Sequence, residues 1–582
     1  MHWRRAASLL SLLPLLACRP SAPEDSEATD NPEPAAASEQ GEQGELAALL
    51  LALDDPLTRA SALVELERLS LEIDGRDDAE AREQTAERLL PALADLWPEA
   101  AASERATMLR VADNLAAPQA EALWRRALSD FSLPEDSLAA ALSGIVRARA
   151  RSLSAAIATH LGASVDAGFE GPQGEPDAGH VAKALLLIHA LGQLHASDQA
   201  ERLIMLLESG GDFPIEVQRE LVSTLGQLGD PLAAEPLLVA MFRVPDFPGI
   251  QSLGERAVRA LGAIGEPALP AVLDAYAGHS PRLAAVAEEH GIGQALIQMT
   301  AVQIMGVIGS ADAVPTVVAH LSASSCERQG KNSAAQIRAS YRRATAARTL
   351  GQIADPRGAA PLCACADSRE PSEVSEIAQA LGRIAWASGP NDDEALGCLE
   401  RMVATASLDP ELVSAGTQLD IRGEALRWLV LASEPDQAPS LRATLEQAAP
   451  EVRAHVREHG ADQGIAVLEA CADQRACYAE RLADASQPAH ARELAAFQLA
   501  RLSQPGDLET AATLAQGFAI PDAEVRISVA WLSARLAGDQ PCPACADALE
   551  TVMTKEATNS SAAMQAAWVT ARRVIDELRA RE

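Results

Sequence analysis

The sequence predicts an all-α solenoid of stacked antiparallel helix pairs. Three observations carry that expectation. A short unit of the form Leu-Gly-x-Leu or Leu-Gly-x-Ile, once with Met in place of the first Leu, recurs six times between residues 191 and 384. Apolar residues on either side of it fall at helical spacing, so each unit joins two amphipathic helices. Hydrophobic residues make up 48% of the chain but aromatics only 3%. Cores must therefore be built from Ala, Leu, Val and Ile, which suits helices packed closely through small side chains.

The chain opens with a different kind of segment. Residues 1–17 carry Arg4 and Arg5, then an almost wholly apolar run from Ala6 to Ala17, ending just before Cys18. A basic start and a short apolar core form a secretory signal. The run is too short to span a bilayer as a permanent helix. Leu15-Leu16-Ala17-Cys18 resembles the bacterial lipobox, and the resemblance implies that Cys18 becomes the lipidated first residue. Arg19 follows it, where many lipoproteins retained at the inner membrane have Asp. The same resemblance thus implies the outer membrane, facing the periplasm or the cell surface. Residues 18–45 contain Pro20, Pro23, Pro32 and Pro34 among Glu, Ser and Ala, which predicts a disordered acidic tether.

From residue 46 to 582 the sequence predicts one array. Its grammar is clearest in 256–276. There Val258, Leu261 and Ile264 share a helical face, Gly265 can end the helix in a left-handed conformation, and Pro267 suits the first turn of the next. Leu269, Val272 and Leu273 supply the second apolar face, and Gly262 lets a neighbouring helix come close. The anchors Leu191, Leu225, Leu261, Met305, Leu350 and Leu381 lie 34, 36, 44, 45 and 31 residues apart. Irregular spacing around a repeated helix pair is the mark of a solenoid with loop insertions. The units Leu225-Gly-Gln-Leu-Gly-Asp-Pro231 and Leu350-Gly-Gln-Ile-Ala-Asp-Pro356 resemble the HEAT repeat in its short bacterial form. That resemblance covers 180–390 most clearly and implies a right-handed superhelix with a concave binding face. Outside it, 46–72, 79–97, 105–128 and 138–161 predict helices without the glycine signature. So do 421–448, 491–518, 525–553 and 562–580. Loops are expected at 162–179, 244–254 and 322–333.

Besides Cys18 there are eight cysteines, Cys326, Cys363, Cys365, Cys398, Cys471, Cys477, Cys542 and Cys545. An even number in an exported chain predicts disulfides. Cys471 with Cys477 and Cys542 with Cys545 are expected as local bridges. The other four should join neighbouring repeats, with a connectivity the sequence leaves open.

Two motifs admit chemistry. His455-Val-Arg-Glu-His459 has the H-x-x-E-H form of inverted zinc peptidases, with both imidazoles on one helical face. Cys542-Pro-Ala-Cys545 has the spacing of a thiol-disulfide exchange site. Against the first, the segment also reads as a repeat helix ending at Gly460, where a terminal His is favourable. Against the second, exchange enzymes place the motif in a β-α-β setting that this region lacks. Iron-dependent hydroxylases of the HEAT family use His-Glu pairs, and this chain has no His-Glu dipeptide. Nor does it carry a Walker loop, a Gly-x-Ser-x-Gly elbow or a dinucleotide fingerprint, so no cofactor is expected. A net charge of -34 repels phosphates and argues against nucleic acid. The sequence thus favours a membrane-anchored, non-enzymatic scaffold for an envelope protein or peptide. The alternative is an envelope enzyme acting through His455 and His459 or through Cys542 and Cys545.

Overall fold

The computed structural model describes residues 35–75, 79–170, 177–209, 213–243, 252–323, 326, 334–366, 371–389, 393–447 except 406–414, 450, 453–454, 461–538, 540–556 and 562–580. Among these residues the chain is an α-solenoid of helices and single 3-10 turns, with no strand. No helix among them is long and apolar enough to cross a membrane. Residues 1–34, and Cys18 with them, lie outside the described residues, as do His455 and His459.

The repeat unit is built by its own residues. Ser252 caps the Leu253–Ile264 helix, its hydroxyl accepting the Glu255 N–H at 3.1 Å. Val258, Leu261 and Ile264 are all buried. Gly265 then turns the chain at φ 75° and ψ -145°. That conformation is open to glycine, but it is not the left-handed helical one expected from the sequence. Pro267 does not enter the second helix directly. It sits in a 3-10 turn, Glu266–Ala268, before the Leu269–Ala277 helix begins. The same device recurs at Pro231–Ala233, Ala311–Ala313 and Pro356–Gly358. In these three, Asp230, Ser310 and Asp355 cap the turn from the preceding position, each accepting a backbone N–H two residues on. The stretch joining the two helices of a repeat is therefore a compact corner that its Asp or Ser caps locally.

First helices of successive repeats form one continuous layer and second helices another. The motif glycine is where first helices come closest. A Cβ on Gly226 would lie 2.6 Å from the Cα of Ala260, and one on Gly351 would lie 2.7 Å from the Cα of Ala380. Replacing Gly351 by alanine should lower stability by about 1–3 kcal/mol, because backbone cannot yield as a side-chain tip can. Alanine's better helix propensity offsets about 1 kcal/mol at most. Denaturant unfolding checks it; a neutral or stabilising substitution would contradict the close-packing account.

Two sequence boundaries shift. The first helix spans Ala35–Leu53, so its opening turns fall inside the stretch 18–45 expected as a tether. Ala35, Ala36 and Ala37 are strong helix formers, and composition averaged over the segment hides them. The loop expected at 162–179 starts later, because the Ser154–Asp166 helix runs through Gly162. Of the loops at 244–254 and 322–333, only residues 252–254, 322–323 and 326 are described.

Long-range packing adds what repetition does not. The Ala562–Ala580 helix, called here the C-terminal helix, packs on Leu253–Ile264 and Ile215–Leu228. Arg573 Nε donates to Glu255 Oε1 at 3.1 Å, and Arg259 Nε lies 3.3 Å from Asp576 Oδ2. Trp531 Nε1 donates to the Gln352 carbonyl at 3.4 Å, and Trp386 Nε1 to the Phe497 carbonyl at 3.0 Å. All of these contacts reach first helices. The first-helix layer therefore lines the inside of the curve, and the last repeats fold back against it.

Candidate functional site

The variable residue of the repeat unit decides what faces the inside. In Leu-Gly-x-Ile that residue is Ala263, Val307, Gln352 or Arg383 in successive repeats. Ala263, Val307 and Gln352 line cavities between the array and the last repeats. Arg383 instead is buried at the junction, its guanidinium 5.7 Å from the Trp428 ring and 5.1 Å from the Trp531 ring. Burial pushes its pKa down to about 10, with Glu376 and Glu493 opposing the shift. Trp386 meets Phe497 and Trp531 edge-on at 5.6 and 5.4 Å, and Trp428 meets Phe497 at 5.7 Å. In so aromatic-poor a chain, this cluster gathers four aromatic rings into an apolar fastening between array and C-terminal repeats. Beside it, Glu493 is fully buried. Burial alone would raise its carboxyl, but the Arg427 guanidinium, with His490 and Ser528 alongside, brings it down to about 2.

Two clefts open where these parts meet, and Gly309 and Arg535 line both. The larger has a volume of about 680 Å³ and is lined also by Ala354, Asp355, Ser388 and Glu394. The smaller, of about 330 Å³, is lined also by Gln352, Trp531 and Arg573. Three first helices end at the larger one. Gln294–Ile308 ends at Gly309, Ala334–Ile353 at Ala354 and Pro371–Ser388 at Gly389, each ending residue having positive φ. Helix C-termini present partial negative charge and carbonyls left without intrahelical partners. Asp355, held below the usual carboxylate range by hydrogen bonds from Arg357, and Glu394 add to it. The buried Ser388 hydroxyl has no hydrogen-bond partner among the described residues. Among the described residues, Arg535 is the one cation lining the larger cleft, and its guanidinium donates to the Ile353 carbonyl at 3.4 Å. The arrangement suits cationic or N–H-rich groups rather than anions.

Residues 342–368 match the family described as PBS lyase HEAT-like repeat. The matched stretch holds the second half of one first helix, its Asp355 corner and the following short helix. Among solved structures, Kap121p shares 11% identity at a TM-score of 0.38, over 94% of this chain and 71% of that one. Importin beta shares 14% identity at a TM-score of 0.35, over 90% of this chain and 73% of that one. No curated protein matches the chain.

The eight cysteines fall into four pairs at disulfide distance. Cys326 faces Cys365 and Cys363 faces Cys398, with Cα separations of 5.1 and 5.9 Å. These two pairs run from the end of Val314–Ser322 through Ala359–Ala364 to Asp393–Thr405, so they tie three successive second helices. Cys471 pairs with Cys477 and Cys542 with Cys545, at 5.4 and 5.3 Å. Cys542 is 2% exposed and Cys545 fully buried. Thiol exchange needs an incoming thiolate to reach a sulfur in line, and this pair offers no such approach. Among the described residues, no group of three or more His, Cys, Asp and Glu side chains is placed to share a metal ion. Sequence reasoning missed the junction residues, Trp386, Trp428, Phe497, Trp531 and Arg383. Their signal was available in the variable position of the unit and in the concentration of scarce aromatics.

Proposed function

We propose that the chain is a non-enzymatic scaffold that holds an extended peptide segment of an envelope protein against its inner face. The larger cleft carries this reading: three helix C-termini, Asp355 and Glu394 gather there between the array and the last repeats. Carbonyls at helix C-termini and carboxylates recognise backbone N–H groups and Lys or Arg side chains. The net charge of -34 would steer a basic partner toward it. We place the protein outside the cytoplasm, tethered by lipid on Cys18 to the outer membrane. The signal-like residues 1–17, Arg19 and the paired cysteines support that placement.

Fluorescence anisotropy with labelled basic, neutral and acidic peptides tests the binding claim. Basic peptides should bind, and Glu394→Lys should weaken them about tenfold, as expected for a lost charge pair. Equal affinity for all three peptides, or indifference to Glu394→Lys, would remove the cleft from the reading. Metabolic labelling with a palmitate analogue tests the tether separately. Incorporation should vanish in Cys18→Ser, and labelling that persists there would refute lipidation at that residue.

A further inference from the structure

The smaller of the two clefts, of about 330 Å³, differs in chemistry from the larger one beside it. Val307 and Ile308 line it from the Gln294–Ile308 helix, and Ala534 and Val574 from the last repeats. Trp531, partly buried at the edge of the aromatic cluster, lines it as well. Gly306, Gly309 and Gly538 contribute lining without a side chain. The cleft thus offers apolar surface and one aromatic ring to whatever enters it.

Charge separates the two clefts. Asp355 and Glu394 line the larger. Among the described residues no carboxylate lines the smaller, which has Arg535 and Arg573 instead. Both guanidinia are already engaged. Arg573 pairs with Glu255 at 3.1 Å, and Arg535 donates to the Ile353 carbonyl at 3.4 Å, with its guanidinium carbon 5.5 Å from the centre of the Trp531 ring. They therefore call for no anion, yet a Lys or Arg side chain entering beside them would meet like charge with no counter-ion. An apolar ring meets neither objection. It removes apolar area from water against Val307, Ile308 and Val574. It can pack on Trp531 in the offset or edge-on geometry that aromatic pairs prefer. Its π face also attracts the neighbouring guanidinia.

We infer that the smaller cleft receives an aromatic side chain of the same peptide whose Lys or Arg occupies the larger one. The inference rests on the basic-peptide reading of the larger cleft and adds a second element of specificity to it. The shared lining sets the spacing. Gly309 and Arg535 belong to both clefts, so the two side chains enter neighbouring pockets from one stretch of peptide. In an extended segment residues i and i+2 share a face, roughly 6.4–6.8 Å apart. The recognised feature is a basic and an aromatic residue separated by one other. Charge in the larger cleft selects the first, and apolar burial beside Trp531 selects the second.

The experiment titrates the full chain with labelled peptides that carry Lys-Ala-Phe, Phe-Ala-Lys, Lys-Ala-Ala or Ala-Ala-Phe in one otherwise neutral sequence. At least one of the two peptides with both residues should bind about tenfold more tightly than Lys-Ala-Ala. Gln352→Trp fills the smaller cleft from the variable position of the repeat unit, where sister repeats carry Ala263, Val307 and Arg383. It should abolish the aromatic preference and leave the affinity for Lys-Ala-Ala unchanged, because Gln352 does not line the larger cleft. Gln352→Ala, which leaves the cleft open, should keep the preference and shows that the position tolerates exchange. Equal affinity for the Phe and Ala versions, or an aromatic preference that survives Gln352→Trp, would overturn the inference and leave the basic-peptide reading standing. Lys-containing peptides that bind no better than Ala-Ala-Phe would remove that reading, and the inference with it.

Discussion

Replacing Glu493 by glutamine is expected to destabilise the protein by about 3–5 kcal/mol, because it removes the fully buried carboxylate that pairs with Arg427. Arg427 Nη2 donates to Glu493 Oε1 at 2.6 Å and to Oε2 at 2.7 Å, and the Ser528 hydroxyl donates to Oε1 at 2.7 Å. Glutamine keeps the volume, so the loss reports on charge rather than on a cavity. Glu424 and Glu524 also reach Arg427, at 3.1 and 2.8 Å, but both are partly exposed. Chemical denaturation of the two proteins measures the difference, and a loss below about 1 kcal/mol would mean that these two acids suffice. The pH dependence has a definite sign. The folded carboxyl titrates near 2, below the value of about 4.3 expected in the unfolded chain. Its contribution is therefore complete above about pH 5 and is lost as pH falls through 2. Acidification should narrow the gap between wild type and Glu493→Gln. A gap that stayed constant down to pH 2 would contradict the assignment.

Reducing the disulfides should have the other large effect, concentrated in the two pairs that tie second helices. Cys326–Cys365 and Cys363–Cys398 span sequence separations of 39 and 35 residues, against 6 and 3 for the local pairs. In the chain-entropy account, bridges of the first kind contribute about 3–4 kcal/mol each, and shorter loops contribute less. Cys363→Ser combined with Cys398→Ser should thus lower the unfolding midpoint clearly more than Cys542→Ser combined with Cys545→Ser. Thermal unfolding with and without reductant measures both. An equal response of the two double variants would show that loop length does not govern the effect here. The bridges also restrict how the second-helix layer can spread, and so how far the curve can open.

Much of this architecture was legible because its causes are local. Ser252, Gly265 and Pro267 set the helix ends and corners by hydrogen bonds and backbone preference within a few residues. Gly226 and Gly351 mark close approaches between adjacent repeats, about one repeat apart in sequence. Small errors also had local causes, as at Ala35–Leu53, where a run of alanines sits inside an acidic, Pro-containing segment. The clefts were illegible for the opposite reason. Asp355 and Arg535 each look like ordinary solvated positions, and nothing in either neighbourhood encodes their convergence.

By itself the sequence determined the helix pairs, their corners, their glycine contacts and the pairing capacity of its cysteines. These follow from hydrogen bonding, φ preference and apolar periodicity acting over tens of residues. Only the tertiary structure decided that Arg573 meets Glu255 and that Trp531 reaches the Gln352 carbonyl. Such contacts depend on a small rotation at each repeat, accumulated along the whole stack, which no single repeat specifies.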